Sequence, residues 1–171
     1  NHSNNATLVN SLDVVGDFAA TAQADFISTD GSRINAGGTA SVRAEQNATV
    51  ADIAGVGLVD ISALQNVAVN NAAVTGVPAV VSIGLLSYVN SPQLTINAGY
   101  DPTGSPTPFF DPSYNANITG DVTSTGLIAV GAGGTAYFRT GSNVVSYNGL
   151  AVRTGDDIII EAGASLTAAN N

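Results

Sequence analysis

Between Leu12 and Val50 the chain keeps one alternation in phase, and this alone narrows what it can fold into. Sixteen of the twenty even positions in that stretch are apolar or glycine, whereas Asp13, Asp17, Asp25, Arg33, Arg43 and Glu45 all fall on odd positions. Successive side chains of a strand point to opposite faces, so the pattern predicts β-structure with one face buried. The exceptions on the even face are Ser28, Asp30, Ser32 and Gln46. Three of them lie in Ser28-Thr29-Asp30-Gly31-Ser32, which has the composition of a turn. No helical spacing of comparable length competes with this reading.

A second rhythm lies on the same face. Phe18, Phe26, Ile34, Val42 and Val50 recur every eight residues with small residues between them. Short strands that each send one large side chain into a narrow interior would produce it. The phase shifts near Gly55 and Gly57, after which Val59, Ile61, Ala63, Val67 and Val69 take odd positions; a turn or bulge is expected there. The text also repeats. Ala36-Gly-Gly-Thr-Ala-Ser-Val-Arg43 returns as Ala132-Gly-Gly-Thr-Ala-Tyr-Phe-Arg139, an offset of 96, with Asn47 and Asn143 in matching places. Ile-x-Ala-Gly occurs at Ile34, Ile96 and Ile160. Three eight-residue faces would make a coil of roughly 24 residues, with the echo four coils on. The expected architecture is all-β: one β-helical domain over residues 1–171, of about seven coils and about 30–35 Å. An antiparallel β-sandwich or jelly-roll subunit of eight-residue strands shares the alternation and is the alternative.

Composition removes several functions. Hydrophobic residues make up 44% of the chain and charged residues 10%, which is not the balance of a disordered tail. Lysine is absent, the only cations are Arg33, Arg43, Arg139 and Arg153, and the net charge is −9. Nucleic acid and anionic membrane surfaces both require basic groups that this chain lacks. With no cysteine there is neither a disulfide nor a thiolate metal site, so stability must come from packing. The longest apolar run, Val74 to Val89, is broken by Gly76, Pro78 and Gly84 and is shorter than the ~20 residues a membrane helix needs. A buried strand pair is expected there instead. The first dozen residues are polar, so a signal peptide is expected to have been removed, or the chain to be a segment of a longer protein.

Ile34-Asn-Ala-Gly-Gly-Thr-Ala-Ser-Val-Arg-Ala44 and Thr154-Gly-Asp-Asp-Ile-Ile-Ile-Glu-Ala-Gly-Ala-Ser-Leu-Thr-Ala168 resemble the repeats of large bacterial adhesins of the filamentous haemagglutinin type. The resemblance covers residues 12–70 and 115–171. It implies a right-handed parallel β-helix, a secreted or cell-surface location and no catalytic signature. Residues 99–114 depart from the repeat and break the rod.

Catalytic constellations are sparse. The sole histidine is His2, in a polar N-terminus, which leaves no Ser-His-Asp site and too few ligands for histidine-based zinc. Without lysine there is no Ser-Lys pair. Asp156-Asp157 beside Arg153 is the only close acidic pair. Adjacent strand residues face opposite ways, so the two would cooperate in glycoside cleavage only if a turn lies there. A polysaccharide-active enzyme is therefore a third reading, behind a non-enzyme. Asp30, Asp52, Asp60, Asp111 and Asp121 lie near turns and leave structural calcium open, although neither an EF-hand loop nor a G-G-x-G-x-D array is present. Otherwise no cofactor is implied. Sequons for N-glycosylation begin at Asn1, Asn5, Asn47 and Asn117 and matter only in a source that glycosylates.

The segment from Tyr100 to Tyr114 holds Pro102, Pro106, Pro108 and Pro112 together with Tyr100, Phe109, Phe110 and Tyr114. Proline withholds a sheet donor, so an excursion from the sheet is expected. Its four aromatics are the candidate recognition or self-assembly loop, with folding back onto the rod as the structural reading. The function expected from all this is a structural or adhesive segment of an extracellular surface or filament protein. Its partners would be other copies of itself or a cell-surface or carbohydrate receptor, with neither nucleic acid nor membrane insertion. Strand donation between sandwich subunits is the alternative.

Overall fold

The computed structural model describes residues 5–75, 79–83, 86–90, 93–101 and 109–169, and for 79–83, 86–90, 100–101 and 109–110 it describes the backbone alone. The alternating stretches become short strands that wind as a coil. β1 (Ala6–Leu8), β2 (Leu12–Val14) and β3 (Phe18–Ala22) form the first coil. β4 (Phe26–Ser28), β5 (Arg33–Ala36) and β6 (Ala40–Ala44) form the second. In the third and fourth coils the first two strands merge, giving β7 (Ala48–Gly55) with β8 (Leu58–Ala63), then β9 (Val67–Val74). A hairpin of β10 (Ala79–Ile83) and β11 (Leu86–Asn90) intervenes before β12 (Gln93–Ala98) completes the fourth coil. A second hairpin, β13 (Tyr100–Asp101) and β14 (Phe109–Phe110), precedes the fifth coil of β15 (Ala116–Ile118), β16 (Asp121–Ser124) and β17 (Leu127–Ala132). β18 (Ala136–Phe138), β19 (Asn143–Ser146) and β20 (Leu150–Thr154) make the sixth coil, and β21 (Ile158–Ile160) and β22 (Ser165–Ala168) begin a seventh.

Every pairing between coils is parallel. The chain is thus a β-solenoid of about six turns, 61% strand, with no helix among the described residues. The antiparallel sandwich is overturned. Among the described residues only β10–β11 and β13–β14 pair antiparallel, each as a separate two-stranded sheet. At the usual inter-strand spacing the stack is about 30 Å long.

The three faces carry aligned rows of inward side chains. On the third face Val42, Ile61, Ile96 and Val130 lie in register, and beside them Ala44, Ala63, Ala98 and Ala132. All eight are essentially inaccessible to solvent. Each buried valine or isoleucine contributes about 1.5–3 kcal/mol, and the alanines let the wall turn the corner in the narrow interior. From Ala22 to Val50 the even-numbered face points inward except at Asp30 and Gln46, and it includes Ser28 and Ser32, which are both buried.

The coil is shorter than the eight-residue rhythm predicts. Phe26, Ile34 and Val42 do sit on successive faces, but Phe26 stacks on Ala48 and not on Val50. The repeat there is 22 residues, and from Ala48 to Val67 it is 19. One corner explains the difference. Between the first and second faces, Thr29–Ser32, Arg139–Ser142 and Glu161–Ala164 close turns in which the fourth N–H donates to the first carbonyl at 2.9–3.0 Å. Gly31, Gly141 and Gly163 hold positive φ there, of 81°, 82° and 85°. β7 and β9 omit this turn and simply bend.

The 96-residue echo is not a count of whole coils either. Gly37-Gly38 joins the second face to the third, whereas Gly133-Gly134 joins the third face to the first. What the two share is crowding. A Cβ on Gly37 or Gly38 would strike the Val15 backbone or the Asp17 side chain, and one on Gly133 or Gly134 would strike the backbone of Asp111 or Pro112. The motif marks corners pressed against the preceding coil.

Candidate functional site

Both departures from the coil flank one strand. β12 is held in register between β8 and β17, with the β10–β11 hairpin before it and the β13–β14 hairpin after it. The excursion expected at 99–114 is therefore present, and its predicted residues are brought together in part. Tyr100 pairs with Phe110, and Asp101 with Phe109, across the second hairpin. The side chains of Tyr100, Phe109 and Phe110 lie outside the described residues. Tyr114 is half-buried, and its Cβ closes on Gly99, where an added Cβ would sit 3.0 Å away. Gly99 has a φ of 67° and receives Asp111 N–H on its carbonyl at 3.3 Å, so it anchors both ends of the loop. The strand pair expected within Val74–Val89 is present as β10–β11, with Val81 opposite Tyr88. Its expected burial lies outside the described residues. That it forms a second excursion was not legible, because an apolar run fits a buried strand pair as well as a hairpin outside the coil.

A polar ladder climbs the corner between the third and first faces. Asp25 N–H donates to Asn5 Oδ1 at 3.2 Å, and both Asn47 N–H and Nδ2 donate to Asp25 Oδ1, at 3.0 and 2.9 Å. Asn66 repeats the pair of bonds on Asn47 Oδ1, at 3.3 and 3.1 Å. Asn115 N–H then donates to Asn66 Oδ1 at 2.9 Å, and Thr135 N–H to Asn115 Oδ1 at 2.8 Å. Each side chain takes up an N–H of the next coil that the strands leave unpaired. The signal in the sequence is an Asn or Asp directly before every first-face strand except β18, which Thr135 precedes, and the expected 24-residue period hides it.

This ladder bears on the sequons. Asn1 lies outside the described residues. Asn5 is exposed, Asn47 has its Nδ2 committed to Asp25, and Asn117 points outward with its Oδ1 accepting from Arg139 Nη2 at 2.8 Å. Asp156 and Asp157 occupy an exposed corner between β20 and β21, so a bend does separate them from the strand geometry assumed above. Of the aspartates considered for calcium, Asp52 and Asp121 lie on either side of Asn71. Asp60 accepts from Thr95 Oγ1, Asp52 from Asn71 Nδ2, and Asp111 from Ser113 N–H. Among the described residues no three His, Cys, Asp or Glu side chains gather as metal ligands.

At the far end of the stack, Ile158 and Ile160 stand in register with the buried Ala136 and Phe138, yet are 48% and 53% exposed. The edges of β20, β21 and β22 beyond them have no strand partner among the described residues. No family model, curated protein or solved structure matches the chain at a significant level. The coil architecture is therefore what defines its class: a β-solenoid repeat protein.

Proposed function

We propose that this chain is a non-catalytic structural and adhesive rod of an extracellular surface or filament protein. The observation that carries the reading is the division of labour around β12. Regular coils build a stiff stack, and two hairpins leave it at the two ends of a single strand, β12. A scaffold with local excursions is how rigid folds present binding loops. The repeats resembling filamentous-haemagglutinin-type adhesins support the same reading. Unpaired edges at β20–β22 and the exposed Ile158 and Ile160 favour stacking of further coils, supplied by other copies or by a longer array. Electron microscopy and light scattering of the purified chain across concentration test this. Linear assemblies that lengthen with concentration are expected. Well-dispersed compact monomers at high concentration would count against it.

A further inference from the structure

We propose that the outer surface over β7 and β9 binds an extended, uncharged oligosaccharide. The proposal deepens the adhesive reading by naming a ligand class for the rod itself, and its test does not depend on assembly.

The surface is recessed because of the missing turn. The second coil carries Thr29–Ser32, whose tip at Gly31 meets open space, while β7 and β9 pass the same corner by bending. Two hollows of about 370 and 280 Å³ result. The first lies over Thr49–Ala51 and Ala68–Asn70, the second over Asp52–Ala54 and Asn71–Ala73. They are consecutive along the same two strands, one on either side of the bend between the first and second faces.

The groups lining the strip decide the chemistry. Asp30, Asn70 and Thr119 rim the first hollow. Arg33, Asp52 and Asp121 rim the second. The partly exposed alanines Ala54, Ala68 and Ala73 supply apolar floor between them. Carboxylates accept, the guanidinium donates and the amide does both, which suits hydroxyls that act as donor and acceptor, and the methyls suit the C–H faces of sugar rings. Part of the strip is already fixed. Asn71 Nδ2 donates to Asp52 Oδ1 at 2.5 Å and its Oδ1 accepts Asp121 N–H at 2.9 Å. On either side, the side chains of Arg33 and Asp121 make no hydrogen bond or ion pair among the described residues.

Other ligand classes fit less well. Three carboxylates face one guanidinium, which repels uronates, sulfated glycans and nucleic acid. An extended peptide would need backbone partners, but β7 and β9 are paired on both sides. No aromatic side chain lines either hollow, so the affinity of one site should be weak, near millimolar. An array of rods would raise it by avidity.

The experiment is a titration of the ¹⁵N-labelled chain with cellotetraose, maltotetraose, mannotetraose and chitotetraose, with tetragalacturonate as the acidic control. At least one neutral tetrasaccharide should give saturable amide shifts confined to residues 49–54 and 68–73 and their neighbours. Arg33→Ala and Asp121→Ala should each weaken binding by about tenfold, the loss of one charged hydrogen bond. Unchanged far-ultraviolet circular dichroism would show that both variants keep the fold. Absence of saturable shifts with all four neutral sugars, shifts that map elsewhere, equal binding of tetragalacturonate, or wild-type affinity in both variants would each overturn the proposal. The assembly state, measured on the same samples, reports separately on the rod.

Discussion

Arg139 Nη1 lies 2.7 Å from Glu161 Oε1, joining the sixth coil to the turn that follows β21 in the seventh. The guanidinium also covers the Tyr137 ring, with Cζ 4.2 Å from its centroid, and reaches back to Asn117 in the fifth coil. The hydrogen bond from Arg139, helped by Thr140 N–H, holds the Glu161 carboxyl below its ordinary value of 4.5. A carboxyl that binds its proton less readily in the folded chain stabilises the fold above its unfolded pKa. That contribution is lost as pH falls through the folded value. Glu161→Gln should therefore be less stable than the native chain at neutral pH, with the gap closing in acid. Urea denaturation from neutral to acid pH checks this, and a gap that is constant with pH would refute it.

Asn66 sits mid-ladder, donating to Asn47 and accepting from Asn115. Asn66→Ala should cost about 1–3 kcal/mol, because it strands the Asn115 N–H in a half-buried corner. Asn66→Asp keeps that acceptor but sets a carboxylate oxygen against Asn47 Oδ1 in place of the Nδ2 donor, so it too should destabilise while the Asn115 N–H stays bonded. Amide hydrogen exchange at Asn115 separates the two: faster in the alanine variant and near native in the aspartate variant.

Glycines that look alike in the sequence should behave differently. Gly31→Ala places a Cβ in open space and costs the strain of positive φ, about 1–2 kcal/mol. Gly133→Ala drives a Cβ into the Asp111 backbone, where the chain returns from the second hairpin. Its cost should be clearly the larger, and protease cleavage within residues 99–114 should accelerate. Equal losses of stability in the two variants would argue against close approach as the reason for the repeated Gly-Gly.

The alternation from Leu12 to Val50 made the strands and the buried face legible, since burial acts residue by residue along a strand. Parallel stacking was suggested by repetition, but the register was not readable from it. Phe26 lands over Ala48 because a turn at Thr29–Ser32 adds residues that β7 omits, and no local pattern counts that difference. The Pro-rich excursion announced itself through missing donors. The β10–β11 hairpin was expected only as a buried strand pair, because its apolar run carries no sign that it leaves the coil. The strip over β7 and β9 was invisible for a related reason: Arg33, Asp52, Asn71 and Asp121 are far apart in sequence and meet only through the coil register.

Ser28 and Ser32, both on the inward face of the second coil, predict opposite outcomes when their hydroxyls are removed. Ser28 Oγ accepts the Ala51 N–H at 2.6 Å, supplying a partner where β7 bends without a turn. Ser32 Oγ is buried with no hydrogen-bond partner, as is Ser142 Oγ at the same place in the sixth coil. Ser28→Ala should destabilise by about 1–3 kcal/mol, the cost of an orphaned buried donor. Ser32→Ala removes an unpaired hydroxyl and should leave stability unchanged or raise it by up to about 1 kcal/mol. Chemical denaturation of the two variants in parallel checks both. A Ser32→Ala loss as large as that of Ser28→Ala would mean that the Ser32 hydroxyl is bonded after all, and that the turn relies on it.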